Sequence, residues 1–191
     1  MPDIPYFEDQ DFKQLYASDL LEPAEYEYCR FENCNLEKAN LSNYKFVDCT
    51  FRHCNLSLST IEHAMFQDCK FQDCKLLGLR FDSANQFNLS FSFESSILDH
   101  SSFYNCKIKN TLFQSCKMHE VDFESCDLSQ AKLLDCDLLH ASFVQTNLEK
   151  ADLSSSFNIQ LDPENNRLKG AKFSSHSLAG LLTKYKIVIK G

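Results

Sequence analysis

The residues with most chemistry in this 191-residue chain are its ten cysteines, six histidines and 27 acids. The cysteines are Cys29, Cys34, Cys49, Cys54, Cys69, Cys74, Cys106, Cys116, Cys126 and Cys136. Structural zinc prefers C-x2-C pairs with a second pair further on. Here the intervals are multiples of five up to Cys74, and they become tens after Cys106. An even count could close disulfides, but the chain opens Met1-Pro2-Asp3 and lacks the basic-then-apolar order of an export signal. The cysteines are therefore expected to be reduced, small and buried, which points to a cytoplasmic location. His53, His63, His100, His119, His140 and His176 show no metal spacing and no Ser-His-acid arrangement, so they are expected on the surface. The carboxylates show no convergent pair. The sequence thus offers no catalytic residues, no metal ligands and no cofactor site, and an enzyme is not expected.

Composition narrows the field further. Four glycines in 191 residues leave little material for a Gly-rich phosphate cradle. A net charge of −8 argues against direct nucleic-acid binding. No apolar run is long enough to span a membrane as a helix. Seventeen phenylalanines and no tryptophan make an unusual apolar inventory, and their placement explains it.

Every fifth residue from Tyr26 to Phe81 is large and apolar, and so is every fifth residue from Phe93 to Leu153. Two residues before these centres stand mostly small side chains, such as Cys29, Ala39, Cys54, Ser59, Cys126, Ala141 and Thr146. The other three positions are mostly polar. Neither the helical period of 3.6 nor the strand period of 2 accounts for a period of five. A chain that turns every five residues does. Each pentapeptide then forms one side of a coil, with the large and small residues inward and the polar three facing water.

This pattern, in stretches such as Ala39-Asn40-Leu41-Ser42-Asn43 and Ala151-Asp152-Leu153-Ser154-Ser155, resembles the pentapeptide-repeat family. The resemblance implies an all-β fold, a right-handed quadrilateral parallel β-helix with four pentapeptides per coil. Residues 20 apart should then stack, as Phe31, Phe51 and Phe71 do by type, and as Leu36, Leu56 and Leu76 do. Between Phe81 and Phe93 there are two extra residues. If they form a bulge, the columns continue through Phe93 and Phe113 and through Leu98, Met118 and Leu138. Two readings of the break at 82–92 stand side by side. In one, Phe87 still fills the axis. In the other, the break projects as a partner-binding loop.

The chain is expected to divide into an N-terminal cap (1–25), a repeat helix (26–153) and a C-terminal cap and dimerisation segment (154–191). The first holds Phe7, Phe12, Leu15, Leu20 and Leu21 as covering residues. In the last, Ala171-Lys172-Phe173 is one more repeat-like piece. Leu178, Leu181, Leu182 and Tyr185 then fall at helical spacing, with Ser174 or Ser175 as a cap. Ile187-Val188-Ile189 is expected as a short strand. These seven apolar residues form the expected homodimer interface, with simple coverage of the last coil as the alternative.

The tail sequence Asp162-Pro163-Glu164-Asn165-Asn166-Arg167-Leu168, followed by Leu181-Leu182 and Ile187-Val188-Ile189, is similar to the end of the Qnr-type quinolone-resistance branch, above all its microcin- and albicidin-immunity members. That resemblance implies a dimer joined at the C-terminal ends. It also implies a DNA mimic that binds DNA gyrase or topoisomerase IV and protects it from quinolones or gyrase-poisoning toxins. Outward acids are expected at Asp48, Asp68, Asp73, Glu94, Asp99, Glu120, Asp122, Glu124, Asp127, Asp135, Asp137 and Asp152. The partner-binding candidates are Asn85, Gln86, Phe87 and Asn88 in the break, with Glu120, Asp122, Glu124 and Asp127. A non-catalytic scaffold for another partner is the alternative.

Overall fold

The computed structural model describes residues 4–20 and 23–188. The chain winds as a right-handed, four-sided parallel β-helix. Side 1 carries the strands Tyr6–Glu8, Glu25–Glu27, Lys45–Val47 and Met65–Gln67. Side 2 carries Asp11–Lys13, Arg30–Glu32, Thr50–Arg52, Cys69–Gln72, Phe91–Glu94, Leu112–Gln114 and Lys132–Leu134, all parallel. Sides 3 and 4 are held by single bridges between coils, such as Asn35 to Asn55 and Asn40 to Thr60. Three-residue strands suit a chain that must turn after each pentapeptide.

All twenty-five large centres from Tyr26 to Phe81 and from Phe93 to Leu153 are buried. Rings on side 2 stack directly: Phe31 on Phe51 at 4.7 Å, and Phe51 on Phe71 at 5.0 Å between centroids. Each buried ring contributes roughly 1.5–3 kcal/mol over exposure. The corners demand left-handed backbone. Residues as different as Lys38, His53, Leu58 and Glu120 all sit at φ between 53° and 59°. Such a conformation costs a non-glycine residue on the order of 1 kcal/mol, and it persists where packing and the inter-coil ladder over-determine it.

The small inward position does more than fit. The Cys54 thiol donates to the Phe31 carbonyl at 3.3 Å, in the coil below, and Cys69 donates to the Phe46 carbonyl at 3.4 Å. Ser59 and Thr146 do the same with hydroxyls, to Leu36 at 2.6 Å and Phe123 at 2.8 Å. An inward donor thus satisfies a buried carbonyl in the neighbouring coil. All ten cysteines are free and buried. Burial pushes the Cys49 and Cys106 thiols up to about 12, so neither is a nucleophile at neutral pH.

The coil length shows where the ladder departs from regularity. Stacked partners lie 20 residues apart through most of the rod, as with Phe31 and Phe51. The break sets 22 between Phe71 and Phe93, so the columns continue across it. At the start the separation is 19, between Phe7 and Tyr26. The ladder therefore reaches beyond the 26–153 span on both sides, to Tyr6 at one end and to Lys172 at the other. Nine rungs on side 2 span about 38 Å at the usual strand spacing. Leu21 lies outside the described residues.

In the tail the expected helix is present in 3-10 form, and the expected strand is not found among the described residues. Its helical residues form 3-10 turns, Ser175–Leu181 and Thr183–Tyr185, with Ser174 accepting from the Ser177 amide as the N-cap. Ile187 and Val188 carry no strand, and Ile189 lies outside the described residues. Gly180 packs so tightly on the Ile159 carbonyl that no side chain fits between them.

Candidate partner-binding surface

The break is a compact bulge on side 1. The Asn85 amide continues the ladder by donating to the Ala64 carbonyl at 2.9 Å. The Asn85 carboxamide oxygen then accepts from the Phe87 amide at 2.9 Å, turning the chain outward. Gln86 reaches back and donates to the carbonyls of Phe81 (2.9 Å) and Ala84 (3.0 Å). Asn88 takes the left-handed corner at φ 54°, and Ser90 rejoins the wall by donating to the Asp68 carboxylate at 3.0 Å.

This geometry overturns the reading in which Phe87 fills the axis. Phe87 is 69% exposed. Leu89 and Phe91 are buried instead. Phe91 pairs in register with Cys69, so it occupies a position that elsewhere holds a small residue. Its ring packs 5.1 Å from Phe81 and 4.9 Å from Phe93. The vacancy left by the missing large centre on side 1 is what admits a phenylalanine there. Phe91 lies at the end of the break, and its aromatic type at a small position was the one sequence signal for this exchange.

The four acids expected at the partner surface do not share one side. Glu120 stands at the corner between sides 3 and 4, with φ 55°, 3.4 Å from His100. Asp122 and Glu124 lie on side 4, where the Asp122 carboxylate accepts from the Glu124 amide at 2.8 Å. Asp127 is one side further, on side 1, bridged to Lys107 and Asn147. Burial raises the Asp127 carboxyl, but hydrogen bonds from Ser129 and the Lys109 ammonium outweigh it and hold the group below its ordinary range. Glu120, Asp122 and Glu124 thus form one acidic edge, while Asp127 shares side 1 with the bulge residues.

Asp99, expected outward, is buried and accepts from Lys117 at 2.8 Å and from the His119 amide at 3.0 Å. His119 is half-buried against Asp137 at 2.7 Å, and the other five histidines are exposed. Among the described residues no group of three or more His, Cys, Asp or Glu could hold a metal ion, and no helix is long and apolar enough to cross a membrane.

At the far end, Leu181 packs on the core and Leu182 is half-buried, so these two turn toward the rod. Leu178, Ile187 and Val188 are exposed, Val188 at 84%. Tyr185 is exposed, but its hydroxyl donates to Glu164 at 3.0 Å. Beside it the Lys184 ammonium lies 2.6 Å from both Asp162 and Glu164. This clasp holds the tail to the turn at 162–164, and helical spacing gave no hint of it because it joins residues about 20 apart.

The comparisons with known proteins agree with this architecture. No curated protein matches the sequence. Among solved structures, the fold is similar to a trypsin-treated variant of QnrB1, a plasmid-mediated fluoroquinolone resistance protein. The TM-score is 0.65 at 18% identity, over 97% of this chain and 92% of that one. Full-length QnrB1 gives a TM-score of 0.50 at 17% identity, over 95% of this chain and all of that one (100%). HetL, a pentapeptide repeat protein involved in heterocyst differentiation regulation from a Nostoc cyanobacterium, gives 0.44 at 15% identity, over 89% and 85%. The family model for the pentapeptide repeat region matches residues 24–92, 44–118 and 65–153, which together cover most of the rod, and the chain belongs to the pentapeptide-repeat family.

Proposed function

We propose that this protein is a non-catalytic rod that binds DNA gyrase or topoisomerase IV in the cytoplasm and protects it from quinolones or gyrase-poisoning toxins. The observation that carries the reading is the likeness in fold, across nearly the whole chain, to a fluoroquinolone resistance protein. Two local features support it. The bulge offers Phe87 as an exposed aromatic anchor on a hydrogen-bonded base, the kind of group that dominates interface energetics. The edge at Glu120, Asp122 and Glu124 offers carboxylates where the enzyme would otherwise meet phosphates. Asp122 and Glu124 have no ion-pair partner among the described residues. B-DNA carries about one charge per 1.7 Å, so mimicry here acts through this edge and not through total charge. The exposed Leu178, Ile187 and Val188 are the surface through which two rods would join.

The test is a gyrase supercoiling assay with and without ciprofloxacin over a titration of the protein. Rescue of supercoiling supports protection. Inhibition without rescue would mean simple competition with DNA. No effect here, or in a topoisomerase IV decatenation assay run the same way, would sink the reading.

One observation favours a scaffold for another partner. Along the sides many acids are neutralised one coil away, as with Asp152 by Lys172 at 3.0 Å and Glu149 by Arg167 at 2.9 Å. A scaffold of this kind binds its partner indifferently to competing DNA.

A further inference from the structure

Several bases on this rod pair with an acid one coil away. Arg30 meets Asp11 at 3.2 Å, and Lys117 meets Asp99 at 2.8 Å. On side 2 Arg52 and Lys70 have no such partner among the described residues, nor has Lys132 further along, but only Arg52 and Lys70 stand on neighbouring rungs. In the ladder Arg52 stands between Glu32 and Gln72. Glu32 is engaged by Lys13 at 3.4 Å. Above, Gln72 stands where a carboxylate would complete the pair. Arg52 Nε and Nη2 both donate to its amide oxygen, at 3.3 and 3.0 Å. Gln72 is fixed in turn by donating to Glu94 at 3.1 Å. The guanidinium is therefore oriented but not neutralised.

Lys70 stacks over Thr50, with Ser92 above it, and has no ion-pair partner among the described residues. Thr50 is the small residue between Arg30 and Lys70, each about 4.8 Å away along the ladder. Its hydroxyl makes no hydrogen bond among the described residues. These side chains line a recess of 380 Å³ that holds four cations (Lys13, Arg30, Arg52 and Lys70) and two acids (Asp11 and Glu32). In a chain of net charge −8, this is a local excess of positive charge.

We propose that this recess binds a phosphate-type dianion, held by Arg52, Lys70 and the Thr50 hydroxyl. The Arg52 N–H groups beyond those given to Gln72, with Nη1 making no hydrogen bond among the described residues, and a lysine point charge beside a hydroxyl donor match the three acceptor oxygens of a phosphoryl group. Asp11 and Glu32 each already hold a cation at the rim, so they do not cancel the two free charges. The recess is larger than a phosphate ion and has room for an ester group.

The test is an amide chemical-shift titration of the full ¹⁵N-labelled chain with inorganic phosphate, with phenyl phosphate, and with chloride at matched ionic strength. The expected result is saturable shifts at Thr50, Arg52 and Lys70 with the phosphates and not with chloride. Arg52→Gln and Lys70→Gln should each weaken binding about tenfold, the usual worth of one charge-assisted contact. Lys132→Gln, on the same side but outside the recess, should leave it unchanged. Saturation by both phosphates assigns a site for the phosphoryl oxygens alone. Saturation by phenyl phosphate only assigns a site for esterified phosphate. Shifts matched by chloride, or kept in both recess variants, overturn the proposal, as does the absence of saturation by tens of millimolar.

Discussion

Below the break, the aromatic centres occupy sides 1 and 2. Tyr26 stacks on Phe46 at 5.4 Å and Phe46 on Phe66 at 5.3 Å, while Phe46 meets Phe51 edge-on at 5.3 Å. Above it, side 1 becomes aliphatic with Ile108, Leu128 and Leu148, and a new ring column starts on side 4. There Phe81 stacks on Phe103 at 4.7 Å, then Phe103 on Phe123 and Phe123 on Phe143, both at 5.3 Å. Side 2 stays aromatic through Phe113. Most coils thus hold two rings and two aliphatic side chains, but the rings change from adjacent sides to opposite ones. The break is where this happens. It ends one column at Phe66, and Phe91 packs beside the start of the other at Phe81. The interruption is therefore a packing junction as much as a surface feature.

Core truncation tests whether the two halves are one unit. Phe51→Ala below the break and Phe113→Ala above it should each cost about 3–5 kcal/mol in urea unfolding. A single transition in both variants means that the junction couples the halves. A second transition in either one would separate them. At the junction itself, Phe91→Ala should cost about 3 kcal/mol, as a buried ring. Phe87→Ala, by contrast, should stay within about 0.5 kcal/mol. Equal effects would reverse the exchange described above.

Gly180→Ala places a Cβ 1.7 Å from the Ile159 carbonyl oxygen. It should cost about 1–3 kcal/mol and expose residues 174–188 to limited proteolysis, leaving the coils resistant. Leu58→Asn should stabilise the rod by about 0.5–1 kcal/mol in thermal melts, because asparagine accepts the left-handed corner that leucine resists. The smallest effect is pH-linked. Hydrogen bonds from Ser154 and Lys172 hold the Asp152 carboxyl at about 2. That is below its unfolded value near 3.9, so its stabilisation is complete above about pH 4 and is lost as pH falls through 2. Asp152→Asn should therefore melt slightly below the parent at pH 5, by about 0.5 kcal/mol after solvent screening, and the gap should close near pH 2.

The period of five made the coil legible, because every large centre must point inward for the chain to turn at all. The 22-residue step was legible for the same reason, since Phe93 and Leu98 had to regain their columns. The first coil was not. Phe7 and Phe12 are themselves five apart, but the coil that joins them to Tyr26 and Phe31 has 19 residues and breaks the stacking test. The role of the cysteines was half legible: their size follows from the period, but donation to a carbonyl in the next coil needs the third dimension. The candidate surface was least legible. Which acids share an edge depends on the corners between them, and Glu120 and Asp127, seven residues apart, end on different sides.

The uniform step between coils has a consequence for how such a chain can change. Adding or removing one complete turn shifts every later residue along the axis without moving it to another side. Reach and surface chemistry are therefore independent variables in this architecture. A lineage can adjust the distance between the bulge and the C-terminal segment in fixed increments while each retains its own pattern of side chains. An insertion of any other size rotates everything beyond it, and must be absorbed, as here, by a local repacking.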